Sequence, residues 1–170
     1  MRWILDSCTL IYLIKTKLFS EFMDLLKYPL VIDSSVYQEV IIEGKAKNYP
    51  DAIEAEIELN KFKIPVISID VSPELSLFKD SGETSCFILA KENGVCLTSD
   101  DRAYKKFVGQ DILVMRIDSF YFEMVNQNLI SEEKFIKTLK QLERVNATKP
   151  NSIVFFMEKL KQKRDERKND

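Results

Sequence analysis

The sequence predicts a three-layer α/β sandwich on a central, mostly parallel sheet of about five strands, with extra helices at the C-terminal end. Three observations predict it. Short apolar runs bounded by Gly, Pro or polar residues recur along the chain, helix-periodic segments separate them, and beyond residue 118 the pattern is helical throughout. Brief, partly β-branched runs suit a parallel sheet covered on both faces.

The first run is "RWILD" (2–6), which closes on an acid, and "PLVID" (29–33) and "IPVISID" (64–70) repeat that design. "GVCLTSD" (94–100) and "ILVMRID" (112–118) complete the set. Between them lie Leu10, Leu13 and Ile14; Phe19, Phe22, Met23 and Leu26; Val36, Val40 and Ile41; Ile53, Ile57 and Leu59; and Phe87 to Ala90 within "GETSCFILAKEN". Spacings of three and four give each helix one apolar face. Right-handed crossovers then bring every strand C-terminus to one edge of the sheet. Further on, "SEEKFIKTLKQLERV" (131–145) opens on a Ser N-cap followed by acids, "NATKPN" (146–151) is a turn, and the charged end "MEKLKQKRDERKND" is expected to fray. The expected organisation is one domain over 1–147 and a charged helix or tail over 148–170.

With 170 residues and 45% hydrophobic composition the chain can bury one sizeable core. Its 25 basic and 27 acidic residues exclude the global footprint of a strongly basic nucleic-acid binder. Any contact with nucleic acid must be local or carried by cations. Cys8, Cys86 and Cys96 lack C-x-x-C spacing and are expected to act as small buried hydrophobes. The first apolar run is too short to span a bilayer and lacks a cleavage site, so a soluble cytoplasmic protein is expected. Histidine is absent. That removes imidazole bases, Ser-His-Asp and Cys-His catalysis and the commonest transition-metal ligand, and makes carboxylates the first candidates for any chemistry.

Asp6 ends the first run and Asp100 the fourth, Glu39 sits in "SSVYQEV" after the second, and Glu83 lies in the first turn of a helix near Gly82. Ligands of an open parallel sheet bind outside the carboxyl ends of its strands, so the four acids can converge on one cleft. Grouped carboxylates need protons or cations to neutralise them. An all-oxygen set suits Mg²⁺ or Mn²⁺, and two such ions about 3.5–4 Å apart serve in-line attack of water on a phosphodiester. Structural roles stay open beside this one. Asp6, Asp100 or Asp101 can cap helices, Glu83 can complement a helix dipole, and Glu39 can be a solvated helix residue.

The stretches "ILDSCTLIYL", "SSVYQEV" and "GETSCFILAKENGVCLTSDDRAYKKF", in that order, resemble the PIN-domain family over roughly residues 1–125. Among its subgroups the Gly-Glu opening and T-x-D-D-R sequence look most like compact VapC-like proteins. The resemblance implies a metal-dependent ribonuclease, with Asp6, Glu39, Glu83 and Asp100 as catalytic residues holding Mg²⁺ or Mn²⁺. Ser99 and Asp101 would flank the site. Asp118, which closes the fifth run, is a further metal candidate, and capping explains it as well. Cys8 stands where the family has a small polar residue, leaving Ser7 or Thr9 to orient Asp6. Implied partners are an RNA substrate and, for a toxin of a toxin–antitoxin pair, a small antitoxin laying a basic segment across the acidic cleft.

Two other readings stand beside it. One is a weakly or non-catalytic scaffold that binds protein or RNA. The other is a phosphoacceptor or phosphatase with Asp6 as nucleophile, which would want a D-x-D or a second adjacent acid where the chain has Asp6, Ser7 and Cys8. For RNA contact the candidates are "GKAKNY" (44–49), "DRAYKK" (101–106) and Lys159, Lys161, Lys163, Arg164, Arg167 and Lys168, two of these groups offering a Tyr for stacking. "SFYFEMV" and "IVFFMEKL" are core segments or, if exposed, the surface of a homodimer.

Overall fold

The computed structural model describes residues 1–72, 74, 78 and 80–169, with side chains as far as residue 166. Five strands form one sheet: β1 (Arg2–Leu5), β2 (Leu30–Asp33), β3 (Val66–Ile67), β4 (Gly94–Leu97) and β5 (Val114–Met115). All pairings are parallel and the spatial order is β3-β2-β1-β4-β5. Ile4, Leu5, Ile32, Cys96 and Leu97 are fully buried, as strands covered on both faces require. The strands are shorter than the apolar runs that announce them, most of all at the edges, where β3 and β5 span two residues each. Val66 on the β3 edge is 46% exposed, and such short edges give other chains little to pair with.

By its internal packing the chain forms two compact units, Met1–Arg116 and Ile117–Asp170. In the first, helices α1 (Ser7–Lys15), α2 (Phe19–Leu25), α3 (Ser34–Tyr37), α4 (Gly44–Ala46), α5 (Pro50–Lys61), α6 (Ser81–Asn93) and α7 (Asp101–Val108) flank the sheet, with a π-helical turn at Gln38–Glu43. On α5 the apolar face differs from the expected one. Ala52, Ala55 and Leu59 are buried, while Ile53 and Ile57 stand 56% and 59% exposed. A tight approach decides this: a Cβ on Gly44 would come within 2.8 Å of the Ala52 methyl. Only small side chains fit between α4 and α5, and the two isoleucines are turned outward.

The second unit holds α8 (Ile117–Asn126), α9 (Glu132–Arg144) and α10 (Pro150–Asn169). Phe122, Phe135 and Phe156, one from each helix, stack with ring centroids 5.1–5.6 Å apart. Ser131 caps α9 as expected, its hydroxyl accepting from the Lys134 N–H at 3.1 Å. The charged C-terminal stretch is helical to Asn169. Of the two aromatic segments, "SFYFEMV" buries Phe120, Tyr121, Met124 and Val125, whereas "IVFFMEKL" buries Phe156 and Leu160 and exposes Val154, Phe155 and Met157. Among the described residues no helix is long and apolar enough to cross a membrane.

Gly94 begins β4 where α6 ends, and a Cβ there would lie 2.2 Å from the Ile4 Cδ1 and 3.2 Å from two carbonyl oxygens. We expect Gly94→Ala to lower stability by about 1–3 kcal/mol, the usual cost of overpacking, with partial recovery in Gly94→Ala/Ile4→Val. Denaturant unfolding of the three proteins measures it.

Candidate functional site

The strand order reverses between β1 and β4: from β1 the chain winds outward to β2 and β3, and β4 and β5 lie on the other side. A crevice outside the carboxyl ends of two such strands is where open α/β sheets bind ligands. Asp6 follows β1 and Asp100 lies three residues past the end of β4. Each is an N-cap. The Asp6 Oδ1 accepts from the Thr9 N–H at 2.8 Å to start α1, and the Asp100 Oδ1 accepts from the Arg102 and Ala103 N–H groups at 2.7 and 2.8 Å to start α7. Capping employs one oxygen of each carboxylate and fixes its direction. Capping therefore leaves the second oxygen of each carboxylate for other contacts.

Polar groups of the two loops lie side by side. The buried Thr98 hydroxyl accepts from the Asp100 N–H at 3.1 Å and is near enough to the Asp6 carboxylate to lower its pKa. The Cys8 thiol donates to the Asp6 Oδ2 at 3.0 Å and lies near the Ser99 backbone. Thr9 and Ser99 hydroxyls meet at 3.4 Å. Cys8 thus orients Asp6 itself, together with Thr9, and is no inert hydrophobe. Ser7 turns elsewhere. Cys86 and Cys96 are buried free thiols, as expected.

Withdrawal from water raises the pKa of Asp6, and the bonds from Thr98, Cys8 and Thr9 offset this only in part. Burial likewise raises the Cys8 thiol, aided by the charges of Asp6 and Asp100, so Cys8 is no thiolate nucleophile at neutral pH. Tyr12 is raised by its own burial and by Cys8, Asp6 and Asp100. Asp6 and Asp100 thus act on the same two neighbours.

Glu39 lies in the π-helical turn and its Oε2 accepts from the Ser7 hydroxyl at 2.5 Å, which ties it to the residue beside Asp6. π-Helical turns re-aim side chains and recur at functional sites. Glu83 is half-buried at the start of α6, which Asp80 caps, and its carboxylate pairs with the Lys106 ammonium of α7 at 2.9 Å. Asp101 pairs with Arg116. Asp118 lies in the second unit, buried, with its carboxylate accepting from Ser119 and, at 2.6 Å, from the Thr148 hydroxyl. Within the first unit the structure thus draws Asp6 and Asp100 around shared neighbours and links Glu39 through one hydrogen bond. Glu83 and Asp101 are turned to cations. Among the described residues no three His, Cys, Asp or Glu side chains form a group that could hold a metal ion.

Asp6 and Asp100 offer carboxylate oxygens, the donor chemistry of a hard divalent cation. Among the described residues no ammonium or guanidinium pairs with either, and the donors around Asp6 are neutral. A cation would supply the missing counter-charge, and carboxylate oxygens suit Mg²⁺ or Mn²⁺.

A family model of the PIN domain matches residues 2–154. The chain belongs to the PIN-domain family. PIN domains are commonly nucleases and generally use divalent metals. No curated protein matches the chain. Among solved structures, it is similar to a domain of a functionally unknown protein from Methanocaldococcus jannaschii, at 22% identity and a TM-score of 0.48, covering 68% of this chain and 90% of that one.

Within this PIN domain, Thr98, Cys8 and Lys106 matter to the site beyond the acids themselves. The T-x-D spacing carries a signal for Thr98, since a hydroxyl two residues before a capping Asp can reach that residue's N–H. Nothing local signals Lys106, which meets Glu83 from another helix.

Two outcomes follow from these contacts. A carboxylate whose folded pKa lies above its usual 3.8 weakens the fold as pH rises from that value through the raised one. Asp6→Asn is therefore expected to melt above the wild type at pH 7, with the difference vanishing below about pH 3.8; melting curves from pH 3 to 8 test this. Thr98→Val leaves the Asp100 N–H without its partner and should cost about 1–3 kcal/mol, whereas Thr98→Ser should retain most stability.

Proposed function

We propose that this PIN domain is a Mg²⁺- or Mn²⁺-dependent ribonuclease that hydrolyses RNA phosphodiesters. The observation that carries the reading is the pair Asp6 and Asp100, which lack a cationic partner among the described residues and lie at the topological switch of a parallel sheet. Asp6 and Asp100 would hold the cation, joined by Glu39 and Glu83. When bound, the cation supplies charge neutralisation and activation of water near neutral pH. The chain's own residues do the rest. Thr98, Cys8 and Thr9 fix the Asp6 carboxylate, Asp100 is fixed by the helix it caps, and Ser7 restrains Glu39. The N-terminus of α7 directs its dipole toward the same edge, which favours a phosphate there. A carboxylate of the set orients the attacking water.

A second reading, a PIN scaffold of weak or no activity that binds protein or RNA, draws support from the Glu83–Lys106 pair, since a carboxylate held by an ammonium is a poor metal ligand. The toxin role, with an antitoxin placing a basic segment over Asp6 and Asp100, belongs to the proposal too and rests on charge and on the VapC-like motifs. A homodimer draws support from Ile53 and Ile57 on α5 and from Val154, Phe155 and Met157 on α10, all exposed.

Incubation of structured and unstructured RNA with Mn²⁺ is expected to give cleavage that chelation abolishes. Asp6→Asn and Asp100→Asn should each reduce it roughly 100-fold or more, the scale seen when one electrostatic contact to a transition state is removed. Cleavage that survives both substitutions rules the reading out. Failure to bind Mn²⁺ in a calorimetric titration selects the scaffold.

A further inference from the structure

A cavity of about 290 Å³ opens beside Glu39. The segment Gly44–Pro50 builds one side of it. Gly44 lets α4 press against Ala52, Asn48 takes a left-handed turn with φ 57°, and the Tyr49 N–H donates to the Gly44 carbonyl at 2.9 Å. Pro50 then starts α5. This closed turn places Tyr49 at the cavity with 56% of its surface exposed. Ile11, Val40 and Ala52 supply apolar lining.

The charges at the cavity are arranged in pairs. Lys15 meets Asp51 at 3.3 Å and Lys47 meets Glu43 at 3.7 Å, and all four residues line the opening. Two cations matched by two carboxylates offer a phosphate no surplus positive charge, and Glu39 would repel it. A neutral planar group finds instead an apolar bed, an exposed aromatic ring and both donors and acceptors at its edge. The volume falls at the small end of ligand sites, which run from about 300 to 1,000 Å³, so one ring system fits and a longer segment does not.

We propose that this cavity takes a single nucleobase of single-stranded RNA, stacked on Tyr49, with the Lys15–Asp51 and Lys47–Glu43 pairs meeting the base edge. The ligand's identity rests on the ribonuclease reading, which the inference deepens: the base beside the scissile phosphate is anchored next to Glu39. Stacking on an aromatic ring is tolerant of sequence, so the site selects unpaired bases before it selects a particular one. Double-stranded RNA, whose bases are stacked inward, is excluded.

The test is fluorescence anisotropy of a labelled single-stranded RNA of about ten nucleotides, a length of the order that single-strand binding sites cover. Binding is measured in EDTA, so that it is separate from cleavage. Tyr49→Ala is expected to weaken binding about 5- to 150-fold, and Tyr49→Trp to retain it. An abasic RNA of equal length should bind the wild type as weakly as the intact RNA binds Tyr49→Ala. With Mn²⁺ present, Tyr49→Ala should raise KM and leave kcat close to wild type. Because Tyr49 is exposed, Tyr49→Ala should melt with the wild type, which a thermal scan verifies. Equal binding by wild type and Tyr49→Ala, equal binding of abasic RNA, or no RNA binding at all overturns the proposal. Tyr49-dependent binding without any cleavage retains the base site and removes the ribonuclease reading; cleavage indifferent to Tyr49 does the reverse.

Discussion

Where β1 and β4 lie side by side, the chain leaves each strand into a helix, and the two loops are joined by a buried threonine. Thr98 accepts from the backbone N–H of Asp100 and its hydroxyl lies near enough to the Asp6 carboxylate to lower its pKa. Around that hydroxyl the carboxylate of one loop and the backbone of the other come together. The β1–β4 register, with Leu5 opposite Leu97, brings the loops within reach. The placement of the acidic centre depends on this junction, because Asp6 and Asp100 are far apart in sequence and meet only through it.

The same junction carries an electrostatic cost. Asp6 is half-buried among neutral donors, its burial raises its pKa, and nothing cationic among the described residues offsets this. A fold optimised for stability alone would put an Asn or Ser at such a capping position. Retention of a carboxylate there fits the general tension between activity and stability at functional sites. Glu83 shows the opposite arrangement, since Lys106 neutralises it from within the chain. The first unit thus combines two acids without a cationic partner among the described residues, Asp6 and Asp100, with one, Glu83, that has such a partner.

A nearly balanced net charge of −2 conceals this local contrast. Acidic groups collect at the carboxyl edge of the sheet, while the cavity beside Glu39 is neutral by pairing. On the proposed reading, nucleic-acid recognition on such a surface would divide its labour: counter-charge at the acids would handle phosphate, and aromatic stacking would handle bases. Of the basic segments, Lys106 is engaged with Glu83, Lys163 with the Val125 carbonyl and Asn126, and Arg164 with Glu132. The side chains of Arg167 and Lys168 lie outside the described residues.

The sequence by itself determined the alternation of strands and helices, the five runs that become the parallel sheet, and the identity of Asp6 and Asp100 as acids at strand ends. Those signals are local: an apolar run, a turn residue and an N-cap act over a few residues, so composition and spacing reveal them. Only the tertiary structure decided that Ile53 and Ile57 face outward while Ala52 meets Gly44, that Glu39 sits in a π-helical turn bonded to Ser7, and that Glu83 and Asp101 are paired with Lys106 and Arg116. Each of these turns on how closely two elements approach or which cation another segment delivers. Periodicity names the residues on a helix; close packing between helices chooses which face is covered and which partner each charge finds.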